Sequence, residues 1–141
     1  MLHRLRSSIQ FIRDLRGTAA IEFAFVAPVL FTLTIGTIDV GRMVWSHSML
    51  NHMAREATRY ASVRGAESNN TVSKADMQTY VANRLIGVDP GEVNVTVTWT
   101  PSNSSGGTIF IQLDYQYNFL IGGLVGLDPI ALQGESAMVV L

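Results

Sequence analysis

The sequence predicts an α+β protein, in which a long N-terminal transmembrane helix continues into a small head made of a short helix and a two- to three-stranded antiparallel sheet. Three observations predict it. Thr18 to Ile38 form an apolar run whose only charge is Glu22, and at about 1.5 Å of rise per residue such a run matches the roughly 30 Å hydrocarbon core of a bilayer. Val40–Val63 then contains no proline and keeps a helical recurrence of apolar residues. From Val93 the period changes to two, the signature of a half-buried strand.

The stretch ahead of the apolar run is basic. Residues 1–17 hold Arg4, Arg6, Arg13 and Arg16 against Asp14, whereas the remaining 124 residues hold six Lys or Arg against ten Asp or Glu. A basic leader before a membrane-length run keeps the N-terminus cytoplasmic and places the head on the far side of the membrane. A nucleic-acid patch could share this composition, but a short terminal segment followed at once by an apolar run fits a topology signal. The run is longer than the apolar part of a secretory signal and has no small-x-small cleavage site at its far end. Pro28 removes one backbone donor and is expected to bend the helix; Gly36 and Gly41 either let another helix approach closely or reflect the general frequency of glycine in membrane helices.

Past the membrane segment, Val40, Val44, Leu50, Met53, Ala57, Tyr60 and Ala61 draw one apolar stripe, with Asp39–Arg42 and Glu56–Arg59 as opposite charges on its flank. Gly65 is the expected stop, followed by the polar loop Glu67–Asn70. Ser73-Lys74-Ala75-Asp76 has the form of a capping box, and Met77, Tyr80, Val81 and Leu85 give the next helix its apolar face until Gly87 and Pro90. Val93, Val95, Val97 and Trp99 alternate with Asn94, Thr96, Thr98 and Thr100. After the turn Pro101–Gly107, Ile109, Ile111, Leu113, Tyr115, Tyr117 and Phe119 alternate with polar residues and Phe110, which makes a hairpin. Gly122–Pro129 is expected to be a Gly-rich loop and Ala131–Leu141 a third strand with Gln133 and Glu135 on one face. The expected division is a leader over 1–17, a transmembrane and stem helix over 18–65, and an extracytoplasmic head over 66–141.

No constellation for chemistry emerges. The chain has no cysteine, which excludes disulfides, thiolate nucleophiles and Cys-based metal centres. His47 and His52 are five residues apart and so do not share a helical face. Gly122-Gly123-Leu124-Val125-Gly126 lacks the lysine of a phosphate-binding loop. Asp114 and Glu135 could be an acid pair, but both are expected on the solvent side of their strands. The expectation is a protein that is not an enzyme and has no cofactor, no metal, no small-molecule substrate and no nucleic-acid partner. A head of about 75 residues without disulfides is small for independent stability and is expected to lean on the long helix or on neighbouring subunits.

Glu22 stands apart, because a carboxylate in an apolar membrane segment costs several kcal/mol and points to function, the alternative being a carboxylate near the cytoplasmic interface that snorkels out of the apolar core. It is the fifth residue beyond Gly17, and the aromatic Phe23 is the sixth. A basic leader, Gly17, Glu22 and Phe23 together resemble the prepilin-peptidase signal of type IV pilin-like proteins. Over residues 13–65 the likeness is closer. Gly17-Thr18-Ala19-Ala20-Ile21-Glu22-Phe23-Ala24, Pro28, Gly36, Asp39-Val40-Gly41-Arg42 and Ala54-Arg55-Glu56-Ala57-Thr58-Arg59-Tyr60-Ala61 resemble the TadE-like family, the pseudopilins (minor pilins) of the Tad/Flp tight-adherence pilus. The resemblance implies cleavage between Gly17 and Thr18 by a prepilin peptidase, and an assembly role for Glu22 and Phe23. It also implies a bacterial inner-membrane location with a periplasmic head, and partners among other pilins, pseudopilins and the Tad assembly platform. The apolar ending Met138-Val139-Val140-Leu141 departs from the charged or polar endings common in the family. The alternative is an uncleaved single-pass anchor whose extracytoplasmic head binds a ligand or an envelope partner.

Overall fold

The computed structural model describes residues 11–141, and of Phe11–Arg16 and Leu124 the backbone alone. The part of the leader that holds Arg4 and Arg6 lies outside the described residues. The chain divides into two compact units at the Ile38–Asp39 bond, and one helix, α1 (Phe11–Ser62), runs through the division.

Within the first unit, Gly17 to Ile38 are helical throughout, Pro28 included. The stretch of α1 from Gly17 is long and apolar enough to cross a membrane. Its large side chains are bare of protein: Phe23, Phe25, Phe31 and Leu33 are all more than 60% exposed. A continuous apolar surface of this kind needs lipid or another chain against it. The hydroxyls of Thr32, Thr34 and Thr37 donate back to the carbonyls of Pro28, Leu30 and Leu33, each at 2.8 Å. These bonds let three polar side chains enter an apolar medium without an unpaired donor.

In the second unit, α1 supplies Leu50, Met53, Ala54, Ala57 and Ala61 to the core, all essentially inaccessible to solvent. The predicted stripe holds from Leu50 to Ala61 but fails before it, where Val40 and Val44 are 53% and 55% exposed. The buried line runs instead through Asp39, Met43, Ser46 and Leu50. These positions recur at three and four residues, and Val40 and Val44 each lie one residue, about 100°, off that line. The flank pair Glu56–Arg59 is also replaced: Glu56 pairs with Arg84 and with His52.

The second helix, α2 (Lys74–Ala82), starts at the predicted capping box, with Asp76 in place of the commoner Glu. The Asp76 amide donates to Ser73 Oγ at 3.2 Å and the Ser73 amide donates to Asp76 Oδ2 at 2.9 Å. The Ser73 amide, and after it the Ser73 hydroxyl, which donates to Asp76 Oδ2 at 2.7 Å, hold the Asp76 carboxyl below its usual pKa. Met77 and Val81 face the core. Tyr80 stacks on Tyr60 with ring centroids 4.1 Å apart, and the guanidinium groups of Arg64 and Arg84 cover the outer faces of the two rings.

Strands β1 (Val93–Thr100), β2 (Thr108–Tyr117) and β3 (Ile130–Val139) form an antiparallel sheet in that order. Val97 is opposite Ile111, and Leu113 is opposite Gly134. One face of the sheet carries Val97, Ile109, Ile111, Leu113, Tyr117 and Leu132 into the core. Gly134 sits on that face because β3 touches the backbone of α1 there: a Cβ would strike the carbonyl of Leu50 and the amide of Asn51. The fold is therefore α+β, a long apolar helix with a short helix and a three-stranded antiparallel sheet.

Three expectations change in detail. The segment read as a loop contains a four-residue helix, α3 (Gly122–Val125), ended by Gly126 in the left-handed region. Gly65 is not the stop of α1, which ends at Ser62. Gly65 is buried against Val140 and Asn103, where a side chain would collide with both. One residue of the apolar ending finds its partner inside the head: Val140 is 1% exposed, while Met138, Val139 and Leu141 stay exposed and the Leu141 amide donates to the Ser62 carbonyl at 2.8 Å.

Candidate functional site

Gly17, Thr18, Glu22 and Phe23 all lie on the helical backbone of α1 and all are exposed. Nothing lies within 4 Å of where a Gly17 side chain would begin, so its smallness answers no packing demand in this structure. Thr18 and Glu22 are one turn apart, i and i+4, on one face. Glycine inside a helix costs roughly 1 kcal/mol relative to alanine, so Gly17 lowers the helical propensity of this turn.

A second constellation, which the sequence reading missed, sits where the second unit begins. Asp39 is paired with Arg42 as expected, but it does not lie on the open flank of the helix: it is 1% exposed. Its Oδ2 accepts the amide of Leu120 at 2.8 Å and that of Ile121 at 3.4 Å. Its Oδ1 lies 3.0 Å from the Tyr117 hydroxyl and 3.5 Å from Arg42 Nη1. The same Tyr117 hydroxyl is 3.0 Å from the Asp39 main-chain carbonyl, so its one proton is shared between two acceptors. Arg42 also stands over the Tyr117 ring, 5.8 Å from its centre, and Phe119 meets that ring edge-on at 5.3 Å. Burial, then the bond to Asp39, raises the Tyr117 hydroxyl above the ordinary tyrosine value.

A buried carboxylate is tolerable only when its lone pairs are occupied and its charge is met. Asp39 satisfies that condition with two backbone amides, one phenol and one guanidinium. The arrangement joins the first turn of the head's helix to the end of β2 and to the chain that leaves it. The only sequence signal was the position itself, the first charge after the apolar run. Its burial could not be read, because its partners lie about eighty residues away.

The remaining candidates are placed plainly. His47 and His52 are exposed; His47 contacts Asn51, and His52 contacts Glu56. Asp114 is opposite Gln133 rather than Glu135 and accepts bonds from the amides of Gln112 and Gln133. Among the described residues, no group of three His, Asp or Glu is arranged to hold a metal ion.

Comparison with curated proteins finds no match, and comparison with solved structures finds none. Comparison with family models does. Residues 17–59 match the model of the TadE-like protein family, so the chain is TadE-like over the segment that carries Gly17, Glu22 and Asp39.

Proposed function

We propose that the protein is a pseudopilin (minor pilin) of a Tad/Flp-type pilus, anchored in the bacterial inner membrane with its N-terminus cytoplasmic and its head periplasmic. A prepilin peptidase removes residues 1–17, and the matured subunit joins other pilins or pseudopilins at the inner-membrane assembly platform. It acts in building or capping the pilus and has no active site of its own. The observation that carries this reading is the TadE-like match over the same residues that form an apolar, membrane-length helix.

The chemistry of the Gly17–Glu22 turn supports a coupling between processing and assembly. Cleavage after Gly17 creates a positive amino group at Thr18, one helical turn from the Glu22 carboxylate. In a low-dielectric membrane the new charge and the carboxylate stabilise each other, within one subunit or between neighbours. Glu22→Gln keeps the shape and removes the charge. It is expected to leave leader removal intact while pilus formation, counted by electron microscopy and by surface adhesion, falls sharply. Normal piliation by Glu22→Gln would remove the electrostatic coupling from the account.

A further inference from the structure

Between β2 and β3 the chain passes through Phe119–Leu127, nine residues without a charge. Phe119 packs against the core and Ile121 is half-buried, but three side chains stay outside the head: Leu120 is 62%, Val125 45% and Leu127 51% exposed. Its backbone, by contrast, is closed on itself. The amides of Gly122, Val125 and Leu127 donate to the carbonyls of Phe119, Ile121 and Gly122, and the Gly126 amide donates to Gly122. The amides of Leu120 and Ile121 go to Asp39. Six of the nine amides are thus satisfied by protein, in a surface loop where water could have served. Apolar side chains turned outward over a self-satisfied backbone are what a segment needs to enter the boundary of a bilayer.

The position of the loop says which bilayer. Asp39 is the residue after Ile38, where the apolar run ends, and the loop is hydrogen-bonded to it. With Thr18–Ile38 across the membrane, Asp39 lies at the outer lipid–water boundary and holds the loop at that depth. Arg42, half exposed beside Asp39, is placed to meet lipid phosphates. Trp45, two turns along the same helix and 47% exposed, is the side chain most enriched at such boundaries. Asn118 and Asp128 give the loop polar ends that stay among the headgroups.

We propose that Phe119–Leu127 is a second membrane contact, in which Leu120, Val125 and Leu127 enter the outer-leaflet interface of the bilayer that α1 spans. The occupant of this apolar surface is phospholipid. The proposal rests on the reading of α1 as a membrane anchor, and the test separates the two.

The chain has no cysteine, so single cysteines can be placed by Leu120→Cys and Val125→Cys in the loop, Leu30→Cys in the apolar run and Thr98→Cys on the solvent face of the sheet. Each full-length variant, labelled with an environment-sensitive dye, is reconstituted in phosphatidylcholine vesicles that carry phosphatidylcholine spin-labelled near the top of its acyl chain. The expected result is a blue-shifted emission and strong loss of fluorescence at Leu120→Cys and Val125→Cys, with Thr98→Cys unchanged and Leu30→Cys blue-shifted. Loop positions that behave like Thr98→Cys, beside a blue-shifted Leu30→Cys, overturn the loop contact and leave the anchor standing. A blue shift in the loop without quenching by spin-labelled lipid overturns it in favour of a second copy of the chain. A Leu30→Cys label as wet as Thr98→Cys overturns the anchor and the loop contact together.

Discussion

Asp39 concentrates in one carboxylate the bonds that hold Leu120, Ile121 and Tyr117 to the start of the head's helix. Asp39→Asn keeps the shape but offers one fewer acceptor atom and no charge, and a loss of about 1–3 kcal/mol is expected. Tyr117→Phe removes a single donor and is expected to cost about 1 kcal/mol. Urea unfolding of the full chain in detergent, followed by tryptophan fluorescence, checks both. The pH dependence follows from the raised Tyr117 hydroxyl. A raised native value means the folded state holds the proton longer than the unfolded one. The associated stability is complete below the ordinary tyrosine value of 10.0 and is lost as pH rises through the native value. Tyr80 and Tyr115 are shifted in the same direction, chiefly by burial. Unfolding midpoints measured from neutral to strongly alkaline pH should therefore fall, and fall less steeply in Tyr117→Phe.

The elements differ in how far they could be read, and the difference is physical. The capping box Ser73–Asp76 and the alternation Val93–Trp99 are local codes, satisfied by neighbours in sequence, and both appear where the pattern put them. Ser73→Ala should accordingly cost about 1 kcal/mol. The buried line of α1 was misread at its start because it opens with Asp39 and Ser46, polar residues whose burial depends on distant partners. The four-residue α3 escaped notice because two glycines begin it, and glycine is a poor helix former. Gly134 marks the close approach of β3 to α1, which no local pattern in the strand announces. Gly134→Val drives a side chain into the Leu50 backbone and should cost about 1–3 kcal/mol or more. Gly123→Ala, with open space around it, should stay within about 0.5 kcal/mol of the parent in the same urea titration. Of the apolar ending, Val140 is buried, whereas Met138, Val139 and Leu141 stay exposed; the amides of Val140 and Leu141 donate to the carbonyls of Gly107 and Ser62.

At the scale of the whole molecule, one helix serves two environments. From Gly17 to Ile38 its exposed surface is mostly apolar, with Glu22 the one charge, and from Asp39 on it lends one face to a folded head. The TadE-like segment, residues 17–59, covers the apolar run and most of the helix face that the head uses. The membrane-length helix and the likeness to the TadE-like family were legible in that segment, and the sheet in the alternation beyond it, while the Asp39 junction was not. The central claim is that this helix is matured at its cytoplasmic end, and the N-terminus of the protein isolated from the envelope of its host tests it most directly. Intact-mass spectrometry should find a chain that begins at Thr18, and Gly17→Leu should retain the leader. A parent chain that still begins at Met1, in cells that assemble the pilus, would contradict the account and favour the uncleaved anchor.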